Sequence, residues 1–435
     1  MTTTWTPAPQ LAVDPADLPP QPQPERVKVL HVITRFWAGA GGNTLLTAIG
    51  TDPTRFDVWV AGCPGGDLWP RAREAGIRCV EVRGFREVLR IGDLVVLWRL
   101  ARLMRRERFT IVHTHSAKGG FLGRVAARLT HTPVVVHTFH GFSVHDGLSR
   151  RRAVLYNLLE RSVRPFTDVF LAVSPRVAAE AVQRRYARPG SVSVAPSAVE
   201  LDDVPADGDR TALTRIGLEG AGPVIGTVGR IDHQKSPLDF VRMAAGVALH
   251  RPDARFVMVG DGPLAGAAKE LAEQLAVPLT VTGYRSDAPL LSAAMDVFVI
   301  TSQYEGLGRA LTEALGSARP VVATAVNGIP DLVEPGATGL LAGVGDVGAL
   351  ATCERWMLDN PAAARAMGLA GRERVRAGFA PEQMCTAVEA CYREQLGLPA
   401  PAVVPAATGR HVLVVPEARI GSIRTPMSTA VAGGR

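Results

Sequence analysis

The sequence predicts an α/β protein built as two doubly wound parallel-sheet domains. Two observations carry this. Short runs dense in Val and Ile alternate with helical patterns along most of the chain, the order that parallel βαβ units require. That alternation stops at a polar stretch, Asp202–Arg210, and starts again after it. The length of 435 residues suits two domains. Residues 26–204 form the expected first domain and 205–396 the second, with the last helices packing back on the first. Residues 1–25 and 397–435 are read as flexible tails, because Pro, Thr, Gln and Ala dominate the first and Pro399, Pro401 and Pro405 open the second. A short apolar patch, His411–Pro416, interrupts the second tail.

In the first half, strands are expected at Val27–Thr34, Asp57–Cys63, Arg78–Arg83, Thr110–His115, Pro133–Phe139, Asp168–Ser174 and Val192–Ala195. Strands buried on both faces should be this rich in branched residues. Helical patterns lie between them at Leu94–Arg106, Gly123–Thr130 and Arg151–Arg164. In the second half, strands are expected at Val224–Gly229, Phe256–Val259, Leu279–Thr282, Val297–Thr301 and Pro320–Thr324. Their helices are Pro237–Leu249, Ala265–Leu275, Leu290–Met295 and Arg309–Ser317, and helices dominate from Val347 to Gln395. In such a protein the active site belongs between the domains, at the carboxyl ends of the strands.

Composition narrows the function. Apolar content of 47% and charged content of 20% describe an enzyme with a large core. The five cysteines form no C-x-x-C pair, so they suggest neither a zinc site nor a disulfide framework. No run of about 18 apolar residues marks a membrane span. Residues 1–25 do not read as a signal peptide. The expected location is the cytoplasm. The net charge of +7 is uneven: residues 1–200 carry 27 Lys and Arg against 16 Asp and Glu. No nucleic-acid-binding pattern accompanies the basic charge, so nucleic acid is not expected as a partner. An anionic acceptor or membrane surface fits better.

Three segments carry chemistry. Gly39-Ala40-Gly41-Gly42-Asn43 follows the first strand, where a glycine-rich turn lets backbone N–H groups approach a phosphate. The spacing is not G-x-G-x-x-G, so a plain tight turn is an equal reading, and a dehydrogenase is disfavoured. Gly229-Arg230-Ile231-Asp232-His233-Gln234-Lys235 leaves the first strand of the second half with two cations facing the cleft. A diphosphate needs a bidentate Arg and a point-charge Lys. Lys is scarce here, at Lys28, Lys118, Lys235 and Lys269 against 44 Arg, so Lys235 is a poor candidate for surface filler. Tyr304-Glu305-Gly306-Leu307-Gly308 and the run to Glu313 carry two carboxylates, Glu305 on a loop and Glu313 within the next helix. A carboxylate accepts two hydrogen bonds and so suits paired sugar hydroxyls.

With Val259-Gly260-Asp261-Gly262-Pro263-Leu264, Gly283-Tyr284, Pro320-Val321-Val322, Gly328-Ile329-Pro330 and Gly336-Ala337-Thr338-Gly339, these segments resemble the retaining GT-B glycosyltransferases of family 4, the glycosyl transferases group 1. The match covers nearly all of residues 224–340. The first half matches more loosely, through Gly41–Gly42, Val112-His113-Thr114-His115-Ser116 and Val136-His137-Thr138-Phe139-His140-Gly141.

The resemblance implies the GT-B architecture, two Rossmann-like domains facing across a cleft, and a set of roles. Arg230 and Lys235, with Gly229, bind the donor diphosphate. Glu313 binds the nucleotide ribose. Glu305 and His140 stand near the transferred sugar as the catalytic pair. The Gly306, Leu307 and Gly308 segment lies beside them, and Gly41–Gly42 closes on the phosphates. His113 and His115 are less favoured as chemical groups. The implied donor is a nucleotide-diphosphate sugar, uridine being the expected base. The implied reaction retains anomeric configuration by front-face attack assisted by the leaving phosphate. No D-x-D motif is present, since Asp261-Gly262-Pro263 stands instead, so no metal ligand set, no cofactor and no essential metal are expected. One departure is noted: many members carry Gly after the motif Lys, whereas Ser236-Pro237 follows here. Pro is comfortable at a helix start.

The acceptor is expected to be a glycan or lipid-linked, as in exopolysaccharide or surface-glycan assembly. Two basic amphipathic segments, Arg86–Arg108 and Arg150–Arg164, admit two readings. One is peripheral attachment to the inner face of an anionic membrane; the other is a core face ringed by solvated arginines. Two functional alternatives to the transferase are a UDP-sugar 2-epimerase-like isomerase and an inactive nucleotide-sugar-binding module.

Overall fold

In the computed structural model, residues 26–37, 39–86, 90–142, 144, 147–201, 208–220 and 222–399 are described. The first predicted tail, the second from residue 400 onward and most of the polar break fall outside them. The first sheet and its helices run β1 (Val27–Val32), α1 (Ala40–Gly50), β2 (Phe56–Gly62), α2 (Trp69–Glu74), β3 (Arg78–Glu81), α3 (Asp93–Glu107), β4 (Ile111–His115), α4 (Ala117–Leu129), β5 (Val134–Phe139), α5 (Arg150–Ser162), β6 (Val169–Ala172), α6 (Pro175–Gln183) and β7 (Val192–Val194). The second series runs α7 (Thr211–Thr214), β8 (Val224–Val228), α8 (Pro237–Ala248), β9 (Arg255–Val259), α9 (Ala265–Gln274), β10 (Leu279–Val281), α10 (Ala288–Ala294), β11 (Val297–Ile300), α11 (Arg309–Gly316), β12 (Val321–Thr324), α12 (Ile329–Leu332) and β13 (Leu340–Ala342). Helices α13 (Val347–Asp359), α14 (Pro361–Gly378) and α15 (Pro381–Gln395) end it.

The two sheets repeat one topology. Their orders are β3-β2-β1-β4-β5-β6-β7 and β10-β9-β8-β11-β12-β13. Strand order reverses between β1 and β4 and between β8 and β11, which opens a crevice at the carboxyl ends of those strands. Every residue of β4, β5, β11 and β12 is buried, as parallel strands covered on both faces must be. Strand β13, absent from the expectations, adds three residues at the sheet edge beyond Gly339.

The domains share a core below the crevice. Phe139, Phe170 and Val173 of the first pack in one cluster with Ile300, Leu307 and Ile329 of the second. Helix α15 crosses back to the first domain. Its Met384, Cys385, Val388, Cys391 and Tyr392 pack with Leu45, Leu46 and Phe56. The approach of α15 to α1 is close enough that a Cβ on Gly50 would lie 2.4 Å from Cys385 Sγ.

The basic amphipathic segments divide on inspection. Leu100, Ala101 and Met104 of α3 are buried in the first domain, whereas Leu94 is exposed with Ile91, Val95 and Trp98. The reason is width: the apolar residues of α3 go more than half-way round the helix, and the sheet covers only part of that arc. No residue of α5 is buried, and its Val154, Leu155 and Leu158 face solvent.

Candidate active site

Segments leaving β1, β5, β8 and β11 meet in the crevice. At the end of β8, Gly229 takes φ 154°, and a Cβ there would lie 3.3 Å from Lys235 Cε. The chain then turns into α8. Ser236 sits at that turn in the left-handed conformation, φ 49°. This backbone conformation favours a residue without Cβ, which accounts for the Gly that the resemblance leads one to expect there. Ser236 is held by its hydroxyl, which donates to Asp239 Oδ2 at 2.7 Å and accepts from Gln303 Nε2 at 3.0 Å. Thr301 Oγ1 caps the carbonyl of Lys235 at 2.8 Å. Lys235 is thereby aimed across the crevice, and its ammonium forms an ion pair with Glu305.

Glu305 is buried on the loop after β11. Its carboxylate also accepts from Ser302 Oγ at 3.3 Å. Its backbone N–H donates to Asn327 Oδ1 at 2.8 Å, and Asn327 Nδ2 donates to Glu180 Oε2 at 2.7 Å. Glu180 belongs to α6 of the first domain, where Arg184 pairs with it at 2.7 Å. One domain therefore holds the Glu305-loop backbone of the other through the Asn327 side chain.

The two domains touch at the backbone. A Cβ on Gly306 would lie 1.9 Å from the carbonyl oxygen of His140, and one on Gly141 would lie 3.4 Å from the N of Gly306. Gly306 has no room for a side chain at this separation, whereas Gly141 meets only an ordinary contact and is set apart by its φ of 144°. Gly308 (φ 89°) then precedes α11. Leu307 is expected to serve the donor through its backbone, and its side chain has a separate place. It is buried in the shared core, so its side chain packs rather than meeting a ligand.

Gly41 and Gly42 also differ in detail. They lie in the first turn of α1, not in a loop, with Gly39 (φ 78°) ahead of the helix. First-turn N–H groups have no intrahelical partner, so the capacity to receive an anion is kept. Opposite Gly42 stands Arg309, whose Nη1 would be 2.7 Å from a Cβ there. Arg309 Nε holds Glu313 Oε1 at 2.9 Å. Burial raises the Glu313 carboxyl pKa, and the Arg309 charge opposes that shift. Arg230 stands apart, its guanidinium more than half exposed and bonded to Asp232 and Gln234 at 3.0 Å each.

His140 follows β5 directly. Its Nε2 is 3.0 Å from His115 Nδ1, and its Nδ1 is buried without a partner among the described residues. Burial lowers its pKa to about 4, so the imidazole is neutral. A cavity beside it is lined by Lys118, Phe121, His137, Phe142, Glu160 and Tyr186. The nitrogens of His31, His113 and His115 come within 4.8 Å of one another. As a metal centre this group fits poorly, because all six of its ring nitrogens already have hydrogen-bond partners. The sequence reading did not single out Arg309, Asn327, Glu180, His31 or Tyr392.

Comparison with known proteins accords with this geometry. Residues 222–360 match the family described as "Glycosyl transferases group 1", and residues 48–203 match "Glycosyltransferase Family 4". The chain is 34% identical over 269 residues to the UDP-Gal:alpha-D-GlcNAc-diphosphoundecaprenol alpha-1,3-galactosyltransferase of Escherichia coli, covering 60% of this chain and 70% of that one. The chain belongs to the family 4, group 1 glycosyltransferases. A more distant family member is the capsular polysaccharide biosynthesis glycosyltransferase CapM of Staphylococcus aureus, 23% identical over 71% of this chain and 82% of its own. The GT-B fold is shared with sucrose-phosphate synthase from Thermosynechococcus elongatus (TM-score 0.73, 20% identity, 86% of this chain and 100% of that one). It is also shared with Anabaena HepE in complex with UDP-glucose (TM-score 0.72, 16% identity, 85% and 100%). As a glycosyltransferase of this family, the protein is a transferase rather than the epimerase-like isomerase held as an alternative.

Proposed function

We propose that this glycosyltransferase moves a sugar from a UDP-sugar to a lipid-linked glycan acceptor, with retention at the anomeric carbon, in the assembly of an exopolysaccharide or surface glycan. The observation that carries the reading is the meeting of Lys235 and Glu305 opposite the His140–Gly141 backbone. The departing diphosphate gains negative charge, and Arg230, Lys235 and the first turn of α1 at Gly41–Gly42 supply the opposite charge. These cations supply the charge compensation that a bound metal ion would otherwise give, so no essential metal is expected. Glu313 receives the ribose hydroxyls once the donor displaces Arg309 from it. Glu305 and His140 contact the transferred sugar. Attack comes from the donor's leaving-group face, with the phosphate taking the acceptor proton. The E. coli relative is named for a UDP-sugar donor and a diphosphoundecaprenol-linked acceptor, and CapM for capsular polysaccharide.

The acceptor reading adds a surface. Ile91, Leu94, Val95 and Trp98 near and on α3, and Val154, Leu155 and Leu158 on α5, are exposed among arginines. Exposed apolar groups within basic charge suit an anionic bilayer. No helix among the described residues is long and apolar enough to cross a membrane; the attachment proposed through this surface is peripheral. One experiment tests both parts: UDP-sugars are incubated with vesicles carrying a polyprenyl-diphosphate-linked sugar. The expected product keeps the donor's anomeric configuration by NMR, and forms faster on anionic than on neutral vesicles at low salt. An inverted product, or equal rates on both vesicles, contradicts the corresponding part.

A further inference from the structure

Parallel register places a file of histidines on one face of the first sheet. His31 pairs with His113, and His115 lies two residues further on the same face of β4. Tyr392 of α15 closes over them, fully buried. The contacts form one continuous chain. His140 Nε2 meets His115 Nδ1 at 3.0 Å, and His115 Nε2 meets His31 Nδ1 at 2.9 Å. His31 Nε2 lies 3.4 Å from Tyr392 Oη, which is 2.6 Å from His113 Nδ1. His113 Nε2 ends the chain at Thr138 Oγ1, 2.7 Å away. Desolvation keeps His31, His113, His115 and His140 neutral, so each ring donates from one nitrogen and accepts at the other.

We propose that Tyr392 is a positioning residue that fixes the tautomer of His140 through this chain, leaving its Nδ1 as a bare acceptor for a hydroxyl group in the cleft. The direction follows from the phenol. It has one hydrogen and is a better donor than acceptor, so its short 2.6 Å contact is the one in which O–H donates, to His113 Nδ1. Its oxygen then accepts from His31 Nε2–H across 3.4 Å. His31 Nδ1 must accept from His115 Nε2–H, and His115 Nδ1 from His140 Nε2–H. A second observation agrees: His140 Nδ1 is buried with no partner among the described residues, and an orphaned acceptor is tolerated better than an orphaned N–H. The group that meets Nδ1 must therefore bring a hydrogen, as a sugar hydroxyl does. This ligand class rests on the reading that His140 faces the transferred sugar; the tautomer does not.

The test is long-range ¹H–¹⁵N NMR on the full chain labelled with ¹⁵N-histidine, with His140 assigned through His140→Gln. The wild type is expected to show His140 protonated at Nε2 and bare at Nδ1. Tyr392→Phe removes the acceptor for His31 Nε2–H; both directions of the chain then leave one orphaned N–H, so the bias is lost and His140 Nδ1–H is expected to appear alongside Nε2–H. In the same variant kcat falls about tenfold, the scale of one hydrogen bond, while UDP binding is unchanged. A wild-type His140 protonated at Nδ1 overturns the proposal even if the variant fails to fold. A folded variant with an unshifted tautomer, or a shifted tautomer with unchanged kcat, also overturns it. Failure of the donor reading would appear separately, as absence of UDP binding.

Discussion

Gly306 is the residue at which the two domains have least room. A Cβ there would sit 1.9 Å from the His140 carbonyl oxygen, inside any van der Waals contact. Gly306→Ala must therefore push the Glu305 loop and His140 apart. Misplacement on the order of 1 Å costs about 100-fold in rate, so kcat/KM should fall by about that factor in a transfer assay. A variant with near wild-type kcat/KM would show that the domains work further apart than this. At this scale the sequence was most legible where charge is sparse. Lys235 stood out because only four lysines occur. The residues that hold others in place were not legible. Asn327 reaches Glu305 from 22 positions away, and Glu180 reaches Asn327 from 147 positions away, and no local spacing encodes such pairs.

Strand and helix positions were readable because parallel strands buried on both faces are dense in Val and Ile, and helices between them start at recognisable residues. The exceptions have physical causes. β13 is three residues long and carries too little pattern. The first turn of α1 begins inside the Gly-rich run, which reads as a turn because Gly disfavours helices. α3 is apolar over more of its surface than the sheet can cover, so periodicity alone could not say which leucines stay outside. The β8–α8 turn gives an element-scale prediction. Ser236 holds φ 49°, a conformation that is costly for a branched side chain. Ser236→Val should lower stability by about 2 kcal/mol in urea unfolding. Ser236→Gly should stay within about 0.5 kcal/mol, because relief of backbone strain offsets the lost hydroxyl bonds. A Val variant as stable as wild type would mean that the turn relaxes freely.

Across the whole molecule, four buried histidines, His31, His113, His115 and His137, and the half-buried His140 share lowered pKa values with desolvation as the leading cause. The sign is set by linkage. Folded pKa values below the unfolded 6.5 mean that the unfolded chain binds more protons as pH falls. Stability is thus fully present above about pH 6.5 and is lost as pH drops toward the folded values, about 4 for His140 and about 3 for His31. The loss approaches about 1.4 kcal/mol per pH unit for each histidine involved. The unfolding midpoint in urea should therefore decline steeply from pH 7 to 5, and a flat profile would contradict the burial of these rings. The proposed transfer depends first on the second domain binding a nucleotide-sugar diphosphate through Lys235. Its most direct test is a thermal-shift panel of nucleotide sugars on the wild type and Lys235→Ala. UDP-sugars are expected to raise the wild-type melting temperature, and Lys235→Ala to abolish the rise. No stabilisation of the wild type by any nucleotide sugar, or an equal rise in the variant, would contradict it.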